Sequence, residues 1–299
     1  MRIASYLFNN EVGYGLLGPG GLCHMADCLP GAPSEINAFI ALAHAQPGLL
    51  ASAQAAAASA SPLDMTLVTL LPCVPRPGKI ICLGVNYVDH AKEGGNSIGD
   101  YPALFFRGAT SLTAHNGPIQ IPRVSDKLDF EAELAVVIGK PMKDVPQDQA
   151  LAGVFAYSCF NDATLRDYQK RTTQWTIGKN FDTTGGFGPC LVTPDELPPG
   201  CHGLHIESRL NGKVMQSANT RDMVFGVAHT LALLSECLTL EPGDVVVMGT
   251  PSGVGYARTP PVWMRSGDVI EIEIEGLGTL RNIVQAAPGA VAATVSEVR

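Results

Sequence analysis

From residue 79 onward, short apolar runs of strand length recur, each bounded by Gly, Pro, Asn or Asp, and this pattern most limits the fold. Residues 79–85 (KIICLGV) form a continuous apolar run, hence a buried strand, and 130–138 (FEAELAVVI), 154–159, 204–210, 245–248 and 269–274 are also strand-like. Asn211-Gly212 lies between two such runs and predicts a hairpin. Pro242-Gly243-Asp244 and Ser266-Gly267-Asp268 each precede a strand, as turns do. In this part the longer helical runs are 164–171 and 223–236, the second with Val224, Val227, Ala228, Leu231 and Leu234 on one face. Many strands and few helices, without strand–helix alternation, argue against a Rossmann fold or a TIM barrel and predict an α+β, mainly β fold.

The first 72 residues read differently. Alternation over 1–22 predicts a strand, a turn and another strand. Pro33-Ser34-Glu35 opens an apolar-periodic run, with Ser34 as the expected N-cap. Residues 51–61 are rich in Ala and Ser, and Pro62, Pro72, Pro75 and Pro77 then make a connector, because proline breaks regular elements. The expected division is a small N-terminal α+β accessory domain, 1–72, and a catalytic domain, 73–299.

Composition removes whole classes of function. A chain with 46% hydrophobic and 16% charged residues is globular. Its net charge of −8, without a Lys/Arg-rich run, does not suit nucleic acid. The apolar stretch 38–60 is mostly alanine, interrupted by His44, Gln46, Pro47 and Gln54, so a soluble helical segment is expected rather than a membrane span. No pair of the eight cysteines has Cys-x-x-Cys spacing, and Met1–Tyr6 runs directly into Asn9, Asn10 and Glu11 without the look of an export signal. Reduced thiols in a cytoplasm are the expectation.

Three clusters carry potential chemistry. Glu131 and Glu133 sit two apart in a strand and therefore share a face. Two carboxylates on one face repel, so they form either a solvated acidic edge or a site for a hard divalent cation. Asn161-Asp162 ends an apolar strand, where aspartate read alone is an ordinary helix cap. His90 and Glu93, three apart on a helix, share a face; the pair is either solvated or a carboxylate-oriented base. The loop Gly249–Gly255 lacks the Gly-Lys-Ser/Thr ending of a P-loop but offers backbone amides that a ligand can approach.

Seven segments together resemble one family: KIICLGVNYVDHAKE (79–93), DFEAELAVVIGK (129–140), FNDATLRDYQ (160–169), GKNFDTTGGFGP (178–189), LNGKVMQSANTRDMVF (210–225), LEPGDVVVMGTPSGVG (240–255) and GDVIEIEIEGLGTLRN (267–282) are similar, in order, to the signatures of the fumarylacetoacetate hydrolase family. The resemblance covers about residues 76–285. It implies a mixed β-sandwich roll, usually a homodimer, in which Glu131, Glu133 and Asp162 hold Mg²⁺ or Mn²⁺. It implies His90 and Glu93 as the catalytic dyad, Lys179 as the catalytic lysine, Gln169 as an oxyanion or water ligand, and Thr250 against the ligand carboxylate. Two departures stand out. Arg107 replaces a lysine found in many members and is expected to bind a substrate carboxylate, and 183–187 reads Thr-Thr-Gly-Gly-Phe where many members have Cys-Pro. The implied reaction is hydrolysis of the carbon–carbon bond of an acylpyruvate-like 1,3-diketo acid, as in catabolism of aromatic compounds. The alternative is an isomerase, decarboxylase or hydratase acting on 2-hydroxy-diene-dioates or oxaloacetate through the same enolate. Three glycines among residues 94–99 also predict a lid over 88–101.

Overall fold

A computed structural model describes residues 1–18, 20–46 and 48–287; the last twelve residues of the expected catalytic domain lie outside them. The N-terminal part forms β1 (Arg2–Phe8), β2 (Glu11–Gly18), β3 (Gly21–His24), α1 (Met25–Cys28), α2 (Ile36–Ala45) and α3 (Leu49–Ala57). β4 (Val68–Leu70) then leads through the prolines to β5 (Ile80–Gly84), α4 (Val88–Glu93) and β6 (Ala103–Arg107). Short β7 (Leu112–Thr113), β8 (Pro118–Ile121) and β9 (Leu128–Asp129) precede β10 (Ala132–Ile138), α5 (Gln147–Ala150) and β11 (Val154–Asp162). β12 (Thr164–Leu165), α6 (Arg166–Gln169), α7 (Thr176–Lys179) and β13 (Gly185–Val192) follow. The chain continues with β14 (His205–Leu210), β15 (Lys213–Asn219), α8 (Val227–Cys237), β16 (Val245–Val247), β17 (Val269–Ile274) and β18 (Gly278–Ala286).

These strands make the expected α+β, mainly β fold. An eleven-stranded sheet has the main path β3-β2-β1-β13-β11-β10-β16-β5-β6, and a five-stranded sheet runs β15-β14-β17-β18-β8. Both are mixed: β16–β5 and β13–β7 in the larger sheet and β18–β8 in the smaller are parallel pairs within otherwise antiparallel neighbours. The hairpin at Asn211-Gly212 forms with both residues at positive φ, 52° and 78°, as a two-residue turn requires.

β10 is buried on both faces, and its period-two alternation divides the core. Leu134, Val136 and Ile138 pack with Ile270, Ile272 and Ile274 of the smaller sheet. Ala135 and Val137 pack on the other side with Ile3, Phe39 and Ile40 of the N-terminal part. Residues 1–72 therefore complete the second core layer, and β1 pairs directly with β13. No helix among the described residues is long and apolar enough to cross a membrane. All eight cysteines are free thiols.

Four local expectations change. α2 starts at Ile36 with Glu35 at its N-cap and no side-chain cap, so Ser34 does not cap it. The run 164–171 is a two-residue strand and one helical turn, because Thr164 and Leu165 pair with Asp129 and Leu128 instead. α8 begins at Val227, and Val224 is exposed outside it, its N–H given to the Asn86 carbonyl. The strand expected over 130–138 begins only at Ala132. Side chains take the ladder's place there: Asn161 Oδ1 accepts from the Glu131 N–H and Gln216 Oε1 from the Ala132 N–H, each at 3.0 Å.

Candidate active site

The entrance to β10 and the end of β11 lie side by side, with Ala132 opposite Asn161. This register brings Glu131, Glu133 and Asp162 together, one carboxylate oxygen from each lying within 4.8 Å of the others. All three residues are buried. Asp162 is held by ion pairs at the strand end and caps no helix. Glu131 and Glu133 form one wall of a cavity of about 240 Å³ that His90, Gln169, Lys179 and Thr250 also line, with Asp162 set back from the lining and bonded to Lys179.

The three carboxylates differ in their company. Lys179 bridges Glu131 and Asp162, 2.6 Å from the Asp162 Oδ2. Arg166 reaches Glu131 Oε1 at 2.6 Å and Asp129 Oδ2 at 2.8 Å. Arg107 pairs with Asp162. Glu133 has no cationic partner among the described residues; its Oε2 accepts the Gly249 N–H at 2.6 Å. Burial raises the Glu131 carboxyl, but Arg166, Lys179 and His90 outweigh it and bring it down to about 2. Burial, then Asp162 and Glu131, push Glu133 well above the ordinary range. A divalent cation fits this donor set: all-oxygen, anionic and convergent, with one carboxylate lacking positive charge.

The opposite wall is α4. His90 Nδ1 lies 2.9 Å from Glu93 Oε1. A carboxylate only accepts, so the proton of the neutral ring sits on Nδ1 and Nε2 offers a lone pair. Glu93 accepts the Gly253 N–H at 2.9 and 3.1 Å. Four amides of the loop 249–256 are thus given to protein carboxylates. Gly249 serves Glu133, Gly253 serves Glu93, and Gly255 and Tyr256 serve Asp129 at 2.7 and 3.1 Å. Gly253 must be glycine: its φ is 101°, and a Cβ there would lie 2.3 Å from the Met215 carbonyl.

Gln169 Oε1 accepts from Arg166 Nη1 at 3.0 Å, which leaves its NH₂ for the cavity. Thr250 Oγ1 accepts from Gln216 Nε2 at 2.8 Å, which leaves its proton to donate. Among the expected site residues, Glu93 and Asp162 stand one bond behind the lining, held by His90 and Lys179, and Arg107 lies farther back. Its guanidinium lies behind Asp162 and also bonds Ser111 and Thr184 at 3.2 and 2.9 Å. It orients a carboxylate of the protein, because β6 delivers its side chain into the sheet interior. It stands against Gly185, where a Cβ would meet the guanidinium at 2.9–3.2 Å. The two departures from the family's usual sequence therefore meet in space.

The sequence reading passed over Asp129, Arg166, Gln216 and Tyr256 as site residues. Asp129 and Arg166 lie inside quoted segments, but their pairing joins β9 to α6, which no local spacing encodes. Gln216 lies in the β14–β15 hairpin, yet bonds Ala132, Ser208, Thr250 and Pro251.

Fold and site together define an enzyme class: a two-sheet β-roll with convergent carboxylates facing an imidazole–carboxylate dyad. The chain belongs to the fumarylacetoacetate hydrolase family; the family pattern described as "Fumarylacetoacetate (FAA) hydrolase C-terminal" matches residues 79–285. It is 38% identical over 283 residues to a human mitochondrial oxaloacetate tautomerase, covering 94% of this chain and 89% of that protein. A mitochondrial oxaloacetate tautomerase of Xenopus laevis is 42% identical over 224 residues, 74% of this chain and 70% of that one. The maleylpyruvate hydrolase of Sphingobium sp. SYK-6, solved with manganese(II) and pyruvate, superposes with a TM-score of 0.79 at 28% identity, covering 96% of this chain and 100% of that one. The fumarylacetoacetate hydrolase of Exiguobacterium antarcticum gives 0.79 at 32% identity, with the same coverages.

Proposed function

We propose that this protein hydrolyses the carbon–carbon bond of an acylpyruvate-like 1,3-diketo acid, with Glu131, Glu133 and Asp162 holding Mg²⁺ or Mn²⁺. The observation that carries the reading is one cavity lined both by two members of a convergent carboxylate trio, Glu131 and Glu133, and by an oriented imidazole. When bound, the ion supplies Lewis acidity at the 2-oxo acid end. His90 Nε2 takes a proton from water, with Glu93 stabilising the imidazolium. The hydroxide adds to the distal carbonyl, and the Gln169 amide donates to the oxyanion formed there. The carbon–carbon bond breaks, its electron pair passes to the pyruvate fragment as an enolate, and His90 returns the proton. Thr250 donates to the substrate carboxylate, and Lys179 keeps the metal wall's charge balanced.

A second reading is keto–enol tautomerisation of oxaloacetate, favoured by the names of relatives that match nearly the whole chain. The same base would move a proton between carbon and oxygen without consuming water. Incubation with acetylpyruvate and Mn²⁺ separates the two: hydrolysis yields pyruvate and acetate in equal amounts and stops with EDTA. Unchanged acetylpyruvate, with accelerated decay of enol oxaloacetate, would replace hydrolysis by tautomerisation; released CO₂ would mark a decarboxylase. A cytoplasmic homodimer acting on small oxo acids, without nucleic-acid or membrane partners, belongs to the same proposal, and sedimentation measures the oligomeric state.

A further inference from the structure

Four basic side chains line the cavity: His90, Arg166, Lys170 and Lys179. Three are committed to carboxylates, His90 to Glu93, Arg166 to Asp129 and Glu131, and Lys179 to Glu131 and Asp162. Lys170, the residue after α6, makes no ion pair among the described residues. Its Nζ stands 4.6 Å from the centre of the Tyr256 ring, and Arg166 packs 4.4 Å from the same centre. One tyrosine ring thus spaces a solvent-facing ammonium from the guanidinium that grips Glu131. A cation held by an aromatic face alone is weakly held and turns readily to an anion. Arg107, the residue whose chemistry suits that task, is sealed behind Asp162.

We propose that Lys170 is a specificity-determining residue: it receives a carboxylate at the far end of the bound 2-oxo acid and selects diacids over acids that end in an alkyl group. The proposal rests on the reading of the cavity as a 2-oxo acid site. The test uses the Mn²⁺-loaded protein and calorimetry with a matched pair, 2-oxohexanedioate and 2-oxohexanoate, which differ only at the terminal carboxylate. Oxalate, too short to reach Lys170, is the control. The wild type should prefer the diacid by about fivefold, the size of a partly exposed ion pair, and added salt should shrink the preference. Lys170→Met should abolish the preference and leave oxalate affinity unchanged, and Lys170→Arg should restore it. Oxalate binding without a diacid preference, or a preference that survives in Lys170→Met, would overturn the role of Lys170 alone. Failure of all three ligands to bind the wild type would remove the 2-oxo acid reading, and this proposal with it.

Discussion

The two walls of the cavity are built on different principles. The carboxylate wall stands at the ends of β10 and β11, wholly buried strands, and its members are cross-braced by Arg107, Arg166 and Lys179. The base wall is a six-residue helix. Its dyad is tied by hydrogen bonds from one loop amide, Gly253, and the chain beyond it, 94–100, is without helix or strand and mostly exposed. A rigid wall sets where charge sits; a lightly anchored one can bring a base to a substrate and withdraw it. The contrast predicts that damage to the first wall costs fold and metal together, whereas damage to the second costs rate alone.

The largest effect should come from Asp162→Ala. It strips Arg107 and Lys179 of a buried partner, which costs about 3–5 kcal/mol, and removes one of the three proposed ligands. Calorimetry should show Mn²⁺ binding lost and thermal melts a lower Tm; unchanged affinity would take Asp162 out of the site. His90→Ala should keep Mn²⁺ affinity and Tm but lose about 10²–10⁴ in turnover. Normal turnover would reduce the dyad to a helix surface, and loss of metal binding would erase the contrast between the walls.

Acidity should act on the carboxylate wall through Glu133. Its folded pKa is raised, so in the metal-free protein its contribution to stability is present below the unfolded pKa and lost as pH rises through the folded value. An ion bound by Glu133 would displace that proton, so affinity should fall about tenfold per pH unit below the raised pKa. Melts in EDTA and in Mn²⁺ should therefore diverge as pH rises; a constant gap would mean that Glu133 is ionised without metal. The smallest effect concerns the base wall. Hydrogen exchange across 88–101 should slow a few-fold when oxalate and Mn²⁺ are both present, and stay unchanged with Mn²⁺ alone. Equal protection in all three states would make both walls rigid.

The carboxylate wall was also the more legible one. Glu131 and Glu133 betray themselves by strand periodicity, and the register of β10 against β11 then brings in Asp162. What spacing could not give was the bracing. Asp129 and Arg166, like Gln216 and Ala132, meet through tertiary pairing. Such side chains also interrupt the ladder at Glu131, so the strand starts later than its apolar pattern indicates. The glycines of 249–255 were readable as demanding, but not as donors to three different carboxylates. Arg107 was legible as a charge, and only the fold tells that it faces inward.

The meeting of Arg107 with Gly185 makes two distant positions of the chain interdependent. Adding a side chain at Gly185 while the arginine is present forces two groups into one volume. Shortening the arginine to lysine while the glycine remains opens a void beside a buried carboxylate and withdraws the bonds to Ser111 and Thr184. Each step alone is penalised in the other's background, so the two positions answer as a unit: changing both together should cost less stability than the two single changes summed.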